Sequence, residues 1–255
     1  MDRVAFNLGP FPINWFGILV AVAFVAGLWT ASRRATRDGI TCEQVFDAGP
    51  WLIVGSIVGA RALYVISYWE RDFAGESWVK ILKIREGGIV FYGGLIGATL
   101  AMLIYLRWKK LPMLKFADAL APSISLGHIF GRLGCLMNGC CYGRPTDLPW
   151  AIHFQDHETR GVGVHPTQIY EAVLNLGLYG ALAWLYRKKK FDGQIFALYL
   201  MSYAVVRSVV EVFRGDYPMR YFGEVVTPGQ LISIGIFAAG AVLYVMLARS
   251  RPKTA

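Results

Sequence analysis

Charged residues are scarce in this sequence. Only 17% of its 255 residues are Asp, Glu, Lys or Arg, whereas 55% are hydrophobic. A soluble globular domain carries about 25% charged residues, so this composition excludes an ordinary soluble enzyme or binding module. Acidic residues are the scarcer charge, with 17 Asp and Glu against 26 Lys and Arg. A basic excess also suits nucleic-acid binding, but basic residues collect in the cytoplasmic loops of membrane proteins. We therefore predict no nucleic-acid partner.

Cysteine, histidine and cofactor motifs are also scarce. Four cysteines do not make a secreted disulfide framework. The spacing of Cys135, Cys140 and Cys141 matches no zinc pattern, and no histidine stands beside them at ligand spacing. We predict no metal, and we expect these thiols to act as small packing residues. The sequence has no phosphate-binding loop and no dinucleotide fingerprint, so we predict no cofactor. It also has no internal repeat of the kind that builds two-halved transporters.

Long apolar runs are abundant instead. A helix needs about 20 apolar residues to cross a bilayer, and seven runs approach that length. We therefore predict an all-α polytopic membrane protein with about seven transmembrane helices, forming a single integral domain over residues 1–255. The runs cover about 13–32, 45–69, 88–108, from 116 into the segment 128–144, 168–186, 193–213 and 228–247.

The charges at the ends of these runs predict an orientation. Basic clusters follow the first, third, fifth and seventh runs, the last of them in a tail with Arg249 and Arg251, whereas the other loops are mixed in sign. The positive-inside rule then places the N-terminus outside and the C-terminus in the cytoplasm. Residues 140–166 are polar and contain three prolines. We predict that they form a small outward-facing cap between the fourth and fifth helices.

Several ionisable residues lie inside the apolar runs. Arg132 stands in the glycine-rich segment 128–144, HIFGRLGCLMNGCCYGR, although an arginine at membrane depth costs about 3 kcal/mol. Tyr203, Arg207 and Glu211 are spaced i, i+4, i+8 and share one helix face. Two guanidiniums with too few acids around them predict an anion site, and guanidinium is a natural partner of phosphate.

Three further residues leave alternatives open. For Arg61 and Glu171, each inside an apolar run, a structural ion pair and a functional role stand as equal alternatives. Tyr92, taken alone, is typical of an interfacial aromatic. The motif GGLIG that follows Tyr92 places small residues at a spacing that predicts a close helix contact.

Four motifs occur in order along the chain: GGIVFYGGLIG at 87–97, GRLGCLMNGCCYGR at 131–144, HPTQIYEA at 165–172 and YAVVRSVVEVFR at 203–214. Together they resemble the prolipoprotein diacylglyceryl transferases of bacterial inner membranes, over nearly the whole chain. The resemblance implies a multi-pass protein of the bacterial inner (cytoplasmic) membrane. It also implies that the diacylglyceryl group of phosphatidylglycerol is transferred to the thiol of a prolipoprotein lipobox cysteine, with a thioether and glycerol phosphate as products. The implied partners are phosphatidylglycerol, prolipoproteins and the lipid bilayer.

The resemblance also implies roles for individual residues. Arg132 falls on the family's phospholipid-binding arginine, and Arg207 on a second essential arginine with Glu211 following. Tyr92 stands where a histidine, proposed as the base, is often found. The implied catalytic residues are therefore Arg132, Arg207, Tyr92 and Glu211. The implied substrate-binding residues are Arg132, Arg61, Asn138, Gly143, His165, Gln168, Tyr170, Glu171 and Tyr203.

Two further departures from the family pattern concern cysteines. Cys135 and Cys140 replace an asparagine and a glutamate that are usual in the family, which removes polar partners near Arg132. Two other hypotheses remain beside the transferase. One is a non-catalytic membrane carrier or lipid-binding protein for anionic ligands, which would also need intramembrane arginines. The other is thiol redox chemistry through Cys140 and Cys141.

Overall fold

The structure, a computed structural model, describes residues 3–83, 87–154, 159, 161–214 and 226–250. It is mostly helical, which confirms the predicted all-α class. Arg251 and parts of the predicted cap, residues 155–158 and 160, lie outside the described residues. The helices are α1 Trp15–Ala35, α2 Cys42–Ser67, α3 Trp69–Asp72, α4 Val79–Leu82, α5 Phe91–Trp108, α6 Met113–Asn138, α7 Thr167–Tyr186, α8 Gln194–Phe213 and α9 Pro228–Arg249, with a 3-10 turn at Thr36–Asp38.

In the part of the chain that the structure describes, two small antiparallel strand pairs accompany the helices. β1 (Val4–Leu8) and β2 (Phe11–Asn14) form a hairpin before α1, and β3 (Ile152–His153) pairs with β4 (Gly163–Val164). The sequence predicts no element before residue 13, so the hairpin was missed. Its strands are four and five residues long, which is too short for alternation to stand out beside the apolar run that follows. The pair β3–β4 lies in the predicted cap.

Within the described residues, five helices are long and apolar enough to cross a membrane: α1, α2, α5, α8 and α9. This finding confirms a polytopic helical membrane protein. α6 and α7 are as long, at 26 and 20 residues, but fall outside the five. α6 contains Lys115, Asp118, His128 and Arg132, which lower its hydropathy. Seven crossings therefore remain a prediction, as does the position of the cap outside the membrane.

The long helices expose large apolar side chains. Leu95 and Ile104 on α5 are 55% and 58% exposed, and Ile234 and Val242 on α9 are 63% and 58% exposed. A soluble monomer rarely exposes contiguous apolar surface of this kind. In a bilayer such side chains face lipid, and the helical backbone satisfies its own hydrogen bonds.

The chain forms two compact units, residues 35–116 and residues 1–34 with 117–255. In the smaller unit, α2 packs against α5 through glycines. A Cβ atom built on Gly55 would lie 2.5 Å from Ala101 Cβ, and one built on Gly59 would lie 2.7 Å from Gly97 Cα. Only glycine allows the two backbones to come this close. The close contact predicted from the GGLIG motif is therefore confirmed.

In the larger unit, Asp118 on α6 fixes the start of α8. Its side chain is fully buried and accepts hydrogen bonds from the backbone N–H groups of Gly193 at 2.8 Å and Phe196 at 3.0 Å. Lys189 Nζ lies 3.3 Å from the same carboxylate. An acid at a helix N-terminus satisfies backbone donors that otherwise lack partners. Asp118 thus holds α6 and α8 together at one end of the helix pair.

We expect Gly59→Ala to destabilise the protein by about 1–3 kcal/mol, because an added methyl group meets backbone atoms that cannot rotate away. Gly17→Ala on α1 is the matched control, since a Cβ there would meet nothing within 4 Å. Thermal unfolding in detergent, followed by circular dichroism, measures both. Equal stability of Gly59→Ala and Gly17→Ala would contradict the packing described for α2 and α5.

Candidate functional site

Three helices of the larger unit bring two arginines and two glutamates together, a group that we call the ion cluster. Arg132 on α6 places Nε 3.0 Å from Glu171 Oε2 on α7. Arg207 on α8 places Nη1 3.8 Å from the same Glu171 oxygen and Nη2 2.7 Å from Glu211 Oε2. Glu171 therefore joins α6 to α8, and it links the two arginines that the sequence predicts for an anion site.

The ion cluster is buried. The side chains of Glu171 and Glu211 are 1% and 0% exposed, and those of Arg132 and Arg207 are 18% and 14% exposed. The expectation of too few acids beside the two arginines is wrong for this group, because Glu171 was not assigned to either arginine from the sequence. An anion that binds here must use guanidinium donors that the glutamates leave open.

Arg132 has such donors. Among the described residues its ion pair runs through Nε, and no hydrogen bond is formed by its two Nη nitrogens. The two Nη groups of a guanidinium form one edge of its planar donor fork, which matches two oxygens of a phosphate. Arg132 is therefore the member of the ion cluster best placed to bind an anion.

The buried face of α7 carries acceptors without donors. Gln168 Oε1, Glu171 Oε1 and Asn175 Oδ1 have no hydrogen-bond partner in the described part of the chain. Their spacing of i, i+3 and i+7 places them on one side of the helix. Buried polar atoms are nearly always paired, so this face is suited to a ligand that donates hydrogen bonds.

The start of α9 lies against Glu211. Thr227 and Gln230 form a capping box, with Gln230 N donating to Thr227 Oγ1 at 3.2 Å and Thr227 N donating to Gln230 Oε1 at 3.0 Å. A Cβ on Gly229 would lie 2.7 Å from Glu211 Oε1. The positive end of the helix dipole therefore faces a buried carboxylate, which is a favourable electrostatic contact. Glu211 in turn holds Arg207.

His128 was not assigned to the site from the sequence. It stands one helical turn before Arg132 on α6, and its ring centroid lies 5.0 Å from that of Tyr203 on α8. Tyr203 also stacks on Tyr199, with centroids 5.8 Å apart. The i, i+4 spacing of His128 and Arg132 was the available signal, because it places both side chains on one face.

Two predicted substrate-binding residues meet in an aromatic group at the start of α7 and the end of α8. The Tyr170 hydroxyl accepts from Trp150 Nε1 at 2.7 Å and lies 3.2 Å from His165 Nδ1. The Phe213 ring is 5.3 Å from the His165 ring and 5.6 Å from the Tyr170 ring. Trp150 and Phe213 were not assigned to the site from the sequence.

Gly143 has a packing role in the same region. A Cβ at this position would lie 2.5 Å from Phe213 O and 2.7 Å from His165 Cβ. Its N–H donates to His165 O at 2.8 Å, and Arg144 N donates to Phe213 O at 2.9 Å. Gly143 therefore allows the segment after α6 to pass between the start of α7 and the end of α8. A role in substrate binding remains a prediction.

Three cysteines meet where α6 ends. Gly139 N donates to Leu136 O at 3.1 Å, and Cys140 N donates to Cys135 O at 3.0 Å. This is the Schellman pattern, in which the second residue after the helix C-cap contacts the third residue before it. With Asn138 as the cap, these residues are Cys140 and Cys135. Cys140 therefore lies beside Cys135, and Cys141, whose φ is +64°, turns the chain back. The three Sγ atoms lie within 4.8 Å of one another, a group that we call the thiol cluster.

The thiol cluster is tied to the neighbouring elements. Gln168 Nε2 donates to Cys140 O and Thr167 Oγ1 donates to Cys141 O, both at 2.8 Å. Asn138 Nδ2 lies 3.8 Å from Cys140 Sγ as a hydrogen-bond donor.

The thiol cluster also has charged neighbours. Hydrogen bonds from the thiols of Cys135 and Cys140, with the positive charges of Arg214 and Arg132, lower the pKa of the Cys141 thiol. The positive charge of Arg132 therefore acts on the thiol cluster as well as on the ion cluster.

The two remaining predicted residues belong to the smaller unit. Arg61 is 8% exposed and donates to four backbone carbonyls, those of Ile81 at 2.8 Å, Lys80 at 2.7 Å, Gly87 at 2.8 Å and Gly88 at 3.0 Å. These hydrogen bonds hold α4 and the residues that follow it against α2. Tyr92, in the first turn of α5, is 58% exposed.

Comparison with known proteins gives a consistent result. The family model described as prolipoprotein diacylglyceryl transferase matches residues 3–246. A protein of Finegoldia magna is 37% identical over 246 residues, covering 96% of this chain and 95% of that protein. Proteins of Mannheimia succiniciproducens and Bordetella bronchiseptica are each 35% identical over 256 residues, covering 98% of this chain and 94% and 96% of theirs. All three are named phosphatidylglycerol–prolipoprotein diacylglyceryl transferase.

We expect Glu171→Ala to destabilise the protein by about 3–5 kcal/mol, because it leaves Arg132 and Arg207 buried without their shared carboxylate. Glu76→Ala is the control, since the Glu76–Lys80 pair is half exposed and such surface pairs contribute about 0–1 kcal/mol. Chemical denaturation in mixed detergent micelles measures the difference. A Glu171→Ala variant as stable as Glu76→Ala would show that the ion cluster is not structurally coupled.

Proposed function

Because the chain belongs to the prolipoprotein diacylglyceryl transferase family, we propose that it transfers the diacylglyceryl group of phosphatidylglycerol to the thiol of a prolipoprotein lipobox cysteine. The observation that carries the proposal is the family match over residues 3–246, which includes the whole ion cluster. The names of the relatives give the same donor and acceptor. They do not favour a non-catalytic carrier, since each relative is named as a transferase.

We assign Arg132 to the phosphate of phosphatidylglycerol. Its Nη edge carries donors for two phosphate oxygens, while Nε stays on Glu171. Holding the phosphate in a fixed, partly buried position strengthens its electrostatic contact with the guanidinium, because little water screens the charges there. Glu171 sets the orientation of Arg132.

The glycerol headgroup supplies hydroxyl donors. The buried face of α7 presents Gln168 Oε1, Glu171 Oε1 and Asn175 Oδ1, which have no donor among the described residues. Hydroxyl groups of the headgroup that donate to these oxygens would satisfy them and distinguish this lipid from one without a polyol headgroup. Asn175 is thereby added to the predicted substrate-binding residues.

The reaction is a displacement at carbon. The thiolate of the lipobox cysteine attacks the glycerol carbon that carries the phosphate ester, so a C–S bond forms and the C–O bond breaks. The electron pair of that bond stays on oxygen, and glycerol phosphate leaves. Arg132 and Arg207 stabilise the charge that develops on the leaving group. Glu211, held against the start of α9, keeps Arg207 in place.

Tyr92 is assigned a supporting catalytic role. A tyrosine hydroxyl can donate or accept a hydrogen bond, but it lacks the imidazole that makes histidine the common general base. Its part in the reaction is a prediction from the resemblance. The substrate contacts of Arg61, Asn138, Gly143, His165, Tyr170 and Tyr203 remain predictions from the resemblance.

We also propose the inner membrane as the location and seven crossings, formed by α1, α2 and α5 to α9. Polar residues on α6 and α7, among them Arg132, Glu171 and Asn175, explain why these two helices are less apolar than the other five. Basic residues at the ends of α1 and α9, Arg33, Arg34 and Arg249, support an outside N-terminus and a cytoplasmic C-terminus. The cap, residues 140–166, would then face outward.

We expect Arg132→Ala to reduce transfer by about 100-fold or more, because the preorganised positive charge that stabilises the leaving group is lost. The assay uses purified protein, phosphatidylglycerol labelled in its diacylglyceryl part and a lipobox peptide with a free cysteine, with mass spectrometry of the thioether adduct. Arg71→Ala, at an exposed arginine of the smaller unit, is the control. A folded Arg132→Ala variant with unchanged rate would refute the assignment, and wild-type protein without adduct would refute the function.

We expect Gly229→Ala to lower the transfer rate by about tenfold, because the new methyl group displaces the Glu211 carboxylate and releases Arg207 from its position. Gly235→Ala, on the same helix, is the matched control, since a Cβ there would meet nothing within 4 Å. The peptide assay measures both rates. Wild-type activity in Gly229→Ala would mean that the position of Glu211 does not matter to catalysis.

A further inference from the structure

The thiol cluster has a geometry that its sequence spacing did not indicate. A zinc ion bound by thiolates at about 2.3 Å in tetrahedral geometry has sulfur atoms about 3.8 Å apart. The Sγ atoms of Cys135, Cys140 and Cys141 lie within 4.8 Å of one another. Each pair therefore needs to close by no more than about 1 Å to reach that geometry.

The surroundings of the thiol cluster are built to hold it. The Schellman turn fixes Cys135 against Cys140, and hydrogen bonds from Gln168 and Thr167 fix the carbonyls of the two residues that follow the turn. Asn138 donates to Cys140 Sγ. Hydrogen bonds to ligand atoms of this kind orient and support metal ligands. Packing alone does not require three sulfurs to converge.

We infer that the thiol cluster binds a thiophilic divalent metal ion such as Zn²⁺ and that the fourth coordination position takes the thiol of the substrate. This inference rests on the proposed function. Three protein ligands with one open position are the arrangement of catalytic rather than structural zinc sites. The acceptor in the proposed reaction is itself a thiol, which is the ligand type that such an ion prefers.

The chemistry balances with no change of oxidation state. The substrate thiol binds through sulfur, its S–H bond breaks, and the proton passes to water. The bound thiolate then attacks the glycerol carbon of the lipid, the C–S bond forms, and glycerol phosphate leaves with the electrons of the C–O bond. The thioether product, a weak and neutral ligand, dissociates from the metal.

The metal would supply what Tyr92 does not. A cysteine of ordinary pKa, about 8.5, is only about 3% thiolate at pH 7, whereas a metal-bound thiol is deprotonated outright. The gain in thiolate is partly offset by the lower nucleophilicity of a bound sulfur. We therefore expect the metal to raise the transfer rate by about tenfold. Two departures from the family pattern, a tyrosine for the histidine and cysteines near Arg132, then have one explanation.

The first experiment measures metal binding without activity. Reduced, metal-free protein is titrated with Cd²⁺, whose thiolate charge-transfer band appears in the ultraviolet. We expect saturable binding of about one Cd²⁺ per chain in the wild type and in Cys42→Ser, and its loss in Cys135→Ser, Cys140→Ser and Cys141→Ser. Thermal unfolding checks that the variants fold, and Cys140→Ala serves if Cys140→Ser does not. A wild type without the band, or a folded Cys140→Ser that keeps it, would overturn the site.

The second experiment tests the open position and separates this inference from the function. A lipobox peptide should raise the Cd²⁺ charge-transfer absorbance by about a third, as a fourth thiolate joins three, and the same peptide with serine for cysteine should not. Equal absorbance with both peptides would overturn the thiol-binding role. Transfer that is equally fast in metal-free and Zn²⁺-loaded protein would overturn the catalytic role and leave the transferase standing. If metal and peptide bind but no thioether product forms, the metal site would stand and the transferase function would be refuted.

Discussion

The salt bridge between Arg132 and Glu171 is the interaction on which the site depends. It joins α6 to α7, and the same carboxylate oxygen also faces Arg207 on α8. Moving these charges out of water costs several kcal/mol per ion unless each one has partners. The three helices must therefore pack in a single register, because sliding any one of them would leave a charge buried and unpaired. Asp118, which caps α8 from α6, sets the same register at the other end.

The two halves of the proposed chemistry lie close together in the chain. Arg132, on the last two turns of α6, is three residues before Cys135, and the Schellman turn then returns Cys140 and Cys141 toward that helix end. One helix terminus therefore carries both the phosphate-binding guanidinium and the thiol cluster. In the proposed mechanism the phosphate marks the bond that breaks and the thiol supplies the atom that attacks. Placing both on one rigid element limits the error in their separation.

Much of the fold follows from the sequence, and the site follows in part. The apolar runs locate the long helices within a few residues, and the GGLIG motif locates the contact of α2 with α5. The i, i+4 rule finds the Arg207–Glu211 pair because both residues lie on one helix. It cannot find the Arg132–Glu171 pair, which joins two helices. The thiol cluster was missed because it depends on where α6 ends, and a shift of that end by one residue would separate Cys135 from Cys140. The ends of helices are the part of a sequence-based prediction that is least certain.

The apolar exteriors of α5 and α9, where Leu95, Ile104, Ile234 and Val242 are more than half exposed, have a consequence for kinetics. The bilayer that dissolves these helices also contains the proposed donor lipid. The donor therefore arrives by two-dimensional diffusion, and its effective concentration is its mole fraction in the membrane. A change of lipid composition alters the occupancy of the site even when the amount of enzyme is constant. Growth conditions that change the lipid composition of the membrane therefore also change the supply of donor lipid for lipoprotein synthesis.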